Sequence, residues 1–219
     1  MAQQALKMNM EPRIALCMVV AIVLGATGSY WIDRLYARPQ APLSFPEDVA
    51  NRSRFRRPLL MFFLFGCILH FSTASMPLSI YLIIASFFLL MVTFTDFEQY
   101  VIFDLMLLPF AVVGLIAMIH LDWSIYDHLI AAVVGGGAFL LLAITTHGAI
   151  GGGDIKLIAV LGIWLGSKIL LNVVVIGCIL AGVSGLMMLI MKQKNRKSFF
   201  AYGPYFALTT IYMLIKATS

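Results

Sequence analysis

Several stretches of about 17 residues or more run through this chain with almost no charge, and they decide the solvent in which it folds. A helix of that length crosses the roughly 30 Å hydrocarbon layer of a bilayer. Lipid offers backbone N–H and C=O groups no partners, so such runs must be helical. Composition agrees: 62% of the 219 residues are hydrophobic and 11% charged, which does not describe a water-soluble domain. The expected fold class is an all-α integral membrane protein, a polytopic bundle of about eight transmembrane helices. Spans are expected near 14–31, 58–72, 78–95, 105–121, 127–146, 155–166, 168–191 and 200–216. The second is short and the sixth shorter, so seven spans stand as the alternative.

The formal charge of +5 does not point to nucleic acid, because the basic residues sit in short loops between apolar spans. With the N-terminus outside, alternate loops sort by charge. The inside set holds Arg34, Arg38, Arg52, Arg54, Arg56, Arg57, Lys156, Lys192, Lys194, Arg196 and Lys197, against Lys7, Arg13, Lys168 and Lys216 outside. The first apolar run, Ile14 to about Trp31, has the look of a signal peptide behind Lys7 and Arg13. More positive charge follows it than precedes it, which favours a retained span. Residues 32–57, rich in Arg and Pro with Glu47 and Asp48, read as a cytoplasmic loop carrying the topology signal, too short for a domain. Cys17, Cys67 and Cys178 are odd in number and far apart, so no disulfide framework or zinc ribbon follows. His70, His120, His128 and His147 lie at span ends without ligand spacing; they read as interfacial or packed, and no metal is expected.

Acidic residues number ten, and an ionised carboxylate near lipid is costly enough to be informative. Asp96, Glu98 and Asp104 stand where one span ends and the next begins. Asp122 and Asp127 fall in the following loop and read as solvated charges. Asp154 follows the glycine run Gly151-Gly152-Gly153 and leads into the short sixth span. The interval between Asp96 and Asp154 holds two spans of about 20 residues plus loops. Two crossings return the chain to its starting side, so both carboxylates are expected at cytoplasmic helix ends, where side-by-side packing of the third and sixth spans would bring them together.

Two carboxylates in a partly dehydrated site do not both ionise easily, so one holds a proton while the other acts as base. Such a pair can activate water for attack on a peptide carbonyl. Glycines beside Asp154 would let the backbone approach a substrate strand. The plainer readings are a hinge for the glycine run, an N-cap role for Asp154 and a snorkelling side chain for Lys156.

These segments resemble the type IV prepilin peptidases. Asp96, Glu98 and Asp104 follow that family's first motif, Asp-x-[Asp/Glu]-x-x-x-[Ile/Leu]-Pro-Asp, with Phe103 in place of the proline. Gly151, Gly153, Asp154, Lys156 and Leu157 fit the second, Gly-x-Gly-Asp-x-Lys-Leu, without departure. Phe200-Ala201-Tyr202-Gly203-Pro204-Tyr205 is similar to a Pro-Phe-Gly-Pro-[Phe/Tyr] segment, and Gly28-Ser29-Tyr30 with Tyr36 and Pro39 weakly resembles the first span and its loop. The resemblance implies an intramembrane aspartic endopeptidase with Asp96 and Asp154 catalytic. Glu98, Asp104, Gly151, Gly153, Lys156, Gly203 and Pro204 would support them or contact substrate, the two acids suiting a basic leader.

The resemblance also implies a domain division, with residues 1–57 as first span and basic loop and 58–219 as the catalytic transmembrane domain. It implies prepilin or pseudopilin substrates with a basic leader, cleaved at the cytoplasmic face of a bacterial inner membrane, in a multi-pass protein embedded in lipid that binds no nucleic acid. A homo-oligomer stays open. Proteolysis needs no cofactor. Many relatives carry a loop domain with two Cys-x-x-Cys pairs, associated with N-methylation of the product from S-adenosylmethionine; residues 32–57 contain no cysteine, which puts that activity in doubt. The competing readings are an ion-coupled transporter, which would place carboxylates near mid-membrane, and a catalytically silent assembly protein of a secretion system.

Overall fold

A computed structural model describes residues 2–148, 150–190 and 201–218. Lys192, Lys194, Arg196, Lys197 and Phe200 lie outside the described residues. The described chain is helical throughout: α1 (Ala2–Tyr36), a 3-10 turn (Pro46–Asp48), α2 (Val49–Phe71), α3 (Met76–Gln99), α4 (Asp104–His120), α5 (Ile125–Thr145), α6 (Gly152–Ile190) and α7 (Gly203–Thr218). Among the described residues, four stretches are long and apolar enough to cross a membrane: Glu11–Tyr36, Met76–Gln99, Ile125–Thr145 and Gly152–Met188. α4 is apolar but shorter, α2 carries four arginines in its first turns, and α7 has 16 residues.

α6 is two helices joined at a reversal. Gly166 takes φ 67°, ψ 176°, a conformation that a β-carbon disfavours. Before it, Ala159 packs on Gly136 and His128 Nδ1 meets Ile163 O at 2.8 Å, so 152–165 runs antiparallel to α5. After it, Ser167, Leu170 and Val174 line a shared groove with Ile130, Val134 and Ala138 in ascending order, so 167–190 runs parallel to α5. The break matches the expected boundary between the sixth and seventh spans. Asp127, expected as a solvated loop charge, instead sits in the first turn of α5 and accepts both the Ser167 N–H, at 3.1 Å, and its hydroxyl. It thereby caps the second arm of α6 from a neighbouring helix.

The helical segments alternate in direction, which gives the bundle two ends. At one, Arg13 bonds Ser72, His70 meets Thr218 at 3.1 Å and Tyr81 meets His120 at 2.9 Å. At the other lie the ends of α1 and α3 and the starts of α2, α4, α6 and α7. The core is crossed by aromatic rings: Trp31 against Phe88, Phe88 stacked on Phe110 and Phe110 stacked on Trp164, whose Nε1–H donates to Phe110 O at 2.9 Å. α3 is the central helix, with 67% of its apolar window buried against 17–28% for the other three. Those three expose rows of large aliphatics, among them Leu16, Val19 and Val23 on α1, Val133 and Leu141 on α5, and Leu171 and Ile179 on α6. Apolar faces of that extent belong in lipid.

Two sequence expectations shift. The first two spans are parts of longer helices, so the segment between them shrinks from 32–57 to 37–48, and the division at residue 57 falls inside α2. The arginines assigned to a loop therefore stand on a helix.

Candidate active site

α3 ends because Tyr100 adopts the left-handed conformation, φ 52° and ψ 41°, and its N–H turns back to Asp96 O at 3.0 Å. Asp96 is thus held in the last turn of α3, buried at 5% exposure. At the start of α6, the N–H groups of Asp154 and Ile155 both return to Gly151 O, at 3.1 and 3.3 Å. Asp154 is therefore not the N-cap but lies inside the first turn, and it too is buried, at 8% exposure.

What brings the two together is α7. Asp96 Oδ2 accepts the Gly203 N–H at 3.0 Å, and the same amide faces the Asp154 carboxyl. The expected side-by-side packing of the Asp96 and Asp154 helices does not occur: α7 packs against both α3 and α6 and mediates the meeting. Asp154 Oδ1 is buried without a hydrogen-bond partner among the described residues. A buried acceptor left open is costly, and it marks where a donor from water or substrate would bond.

The glycines earlier assigned to substrate approach divide. A β-carbon at Gly203 would stand 2.8 Å from Asp96 Oδ2, and one at Gly153 would stand 3.0 Å from Ile102 Cβ, so these two make room for the protein's own packing. Gly151 and Gly152 are exposed beside Asp154 and leave its flank open. Pro204, buried in the first turn of α7, has a fixed φ suited to that position.

Glu98 and Asp104 are not free carboxylates waiting for a basic leader. Glu98 is buried and paired with Arg56, with Tyr36 O–H donating to it at 3.1 Å. Asp104 is exposed and bidentate with Lys156 Nζ, at 2.7 and 2.8 Å, linking α4 to the first arm of α6. Lys156 therefore does more than snorkel.

Sequence reasoning missed Arg56, which it grouped with three other arginines as topology charge. Reading 49–71 as a helix would have separated them, since Arg52 and Arg56 share one face and Arg54 and Arg57 another.

Residues 83–186 match the model of the type IV leader peptidase family. The chain is 30% identical over 132 residues to a prepilin leader peptidase/N-methyltransferase of Xanthomonas campestris pv. campestris, covering 58% of this chain and 46% of the relative. It is 32% identical over 126 residues to the protein of that name from Stutzerimonas stutzeri, covering 55% and 44%, and 32% over 130 residues to that of Neisseria gonorrhoeae, covering 56% and 43%. The chain thus spans less than half the length of the curated relatives it matches. No solved structure matches.

Proposed function

We propose, from a chain whose central stretch is that of a type IV leader peptidase, that this protein is an intramembrane aspartic endopeptidase with Asp96 and Asp154 as its catalytic pair. The observation that carries the reading is the Gly203 amide facing two buried carboxyls at one end of the bundle. Helix ends suggest how the roles divide. Asp154, in the first turn of α6, meets the positive end of that helix's dipole, which suits the ionised base; Asp96, in the last turn of α3, meets a negative end, which suits the carboxyl that keeps its proton.

Asp154 takes a proton from water as the water oxygen bonds to the scissile carbonyl carbon. Asp96 gives its proton to the developing oxyanion. As the tetrahedral carbon collapses and the C–N bond breaks, the proton held by Asp154 passes to the leaving amine, and the hydroxyl proton returns to Asp96. The pair ends as it began.

The substrates proposed are prepilin-like proteins with a basic leader, cut on the cytoplasmic side of a bacterial inner membrane by a protein that crosses it eight times, N-terminus outside. Loop charge supports that orientation. The relatives' shared name also includes N-methylation; it stays outside the mechanism, because residues 37–48 hold no cysteine and Phe45 within them is bonded to Gln99. Purified protein in detergent, incubated with a prepilin-type substrate, tests the proposal: Asp96→Asn and Asp154→Asn should each abolish cleavage, and full cleavage by either sinks the pair. Weighing the product after addition of S-adenosylmethionine tests methylation.

A further inference from the structure

Away from the aspartate pair, the densest buried charge lies where α1, α2 and α3 meet. Arg56 is 1% exposed and the bulkiest side chain buried so completely among the described residues. Its guanidinium donates to Glu98 Oε2 and to Asp33 Oδ1, its Nε reaches Ser29 Oγ at 3.5 Å, and it stands 5.5 Å over the Tyr36 ring. Arginine cannot shed its charge, so a buried one must be matched, and here two carboxylates match it.

Neighbouring contacts converge on the same turn of α3. Arg52 Nη1 donates to Glu98 O and, at 3.4 Å, to Phe97 O, two carbonyls at a helix end. The Gln99 side chain exchanges two hydrogen bonds with the Phe45 backbone, at 2.8 and 2.9 Å. Each of the three residues after Asp96 is therefore held by a group from residues 33–56, all of which precede the family-matched stretch 83–186. Tyr100, left-handed, stops the helix immediately afterwards.

We propose that the α1–α2 hairpin is a positioning clamp for Asp96, with Arg56 as its principal positioning residue. A last helical turn frays unless it is tied down. A carboxyl that shares a water with a partner on another helix tolerates only about 0.5 Å of displacement. Bonds to Phe97, Glu98 and Gln99 hold the turn that carries Asp96 without touching the reacting atoms. The kinetic part of this inference rests on the peptidase reading; the structural part does not.

The test uses the full chain in detergent with Arg56→Lys and Arg56→Gln, and exposed Arg57→Lys as control. Lysine keeps the charge but lacks the fork that spans both carboxylates. Hydrogen exchange read by mass spectrometry should quicken in peptides covering about 94–104 in both Arg56 variants, with other helices unchanged. Cleavage should lose roughly 10- to 100-fold in kcat at near wild-type KM, with a pH profile that no longer superimposes on the wild type after scaling. Unchanged exchange at 94–104, or loosening spread evenly over every helix, overturns the clamp, as does wild-type kcat in Arg56→Lys. If the wild-type chain itself cleaves nothing, the peptidase reading fails instead, and exchange still decides the clamp.

Discussion

A β-carbon at Gly203 would stand 2.8 Å from Asp96 Oδ2 and 2.9 Å from Ile102 Cδ1, closer than side chains tolerate. Gly203→Ala is expected to lower kcat for leader cleavage roughly 10- to 100-fold, by pushing Asp96 or α7 aside. Gly137→Ala, where nothing lies within 4 Å, should leave the rate at the wild-type level. Rates of the two purified variants on one substrate check the contrast. For the aspartates, Asp96→Asn and Asp154→Asn should each lose about 10²-fold or more, and the double variant should be little worse than either, because the two carboxyls act as a unit. Single-turnover cleavage measures this. These two positions were legible in the sequence because carboxylates are rare in an apolar chain. Arg56 was not, because four arginines within six positions differ only in the helix face they occupy.

The reversal inside α6 depends on two residues that no local pattern joins. Gly166 supplies the positive φ, and Asp127, on α5, caps the arm that begins at Ser167. Asp127→Ala should cost about 1 kcal/mol of stability, while Asp127→Asn, whose amide oxygen still accepts, should keep most of it. Thermal unfolding in a mild detergent distinguishes them. The same element shows what sequence reading achieved and where it stopped. A glycine between apolar runs was enough to place the break near 166–168. The partner that makes the break a cap is 40 residues away, beyond the reach of any spacing rule.

At the scale of the molecule, both aspartates, the Asp104–Lys156 pair and the Arg56 cluster occupy one end of the bundle, and Asp122, Lys168 and Lys216 the other. This arrangement gives no support to a transporter with its carboxylates at mid-span. In a variant with Cys17, Cys67 and Cys178 replaced, Arg38→Cys should react with an impermeant thiol reagent only from the cytoplasmic side and Asp122→Cys only from the opposite side. Labelling of both from one side would overturn the proposed topology.

The sequence by itself determined the solvent, the helical class and the two aspartates at helix ends, because hydrophobic run length and the cost of charge near lipid are local properties. Only the tertiary structure decided that α7, through one glycine amide, brings the aspartates to a common point. It alone placed Glu98 on a buried arginine and Asp104 on Lys156. Which charges pair depends on how helices distant in the chain rotate and pack, and that is a property of the whole bundle.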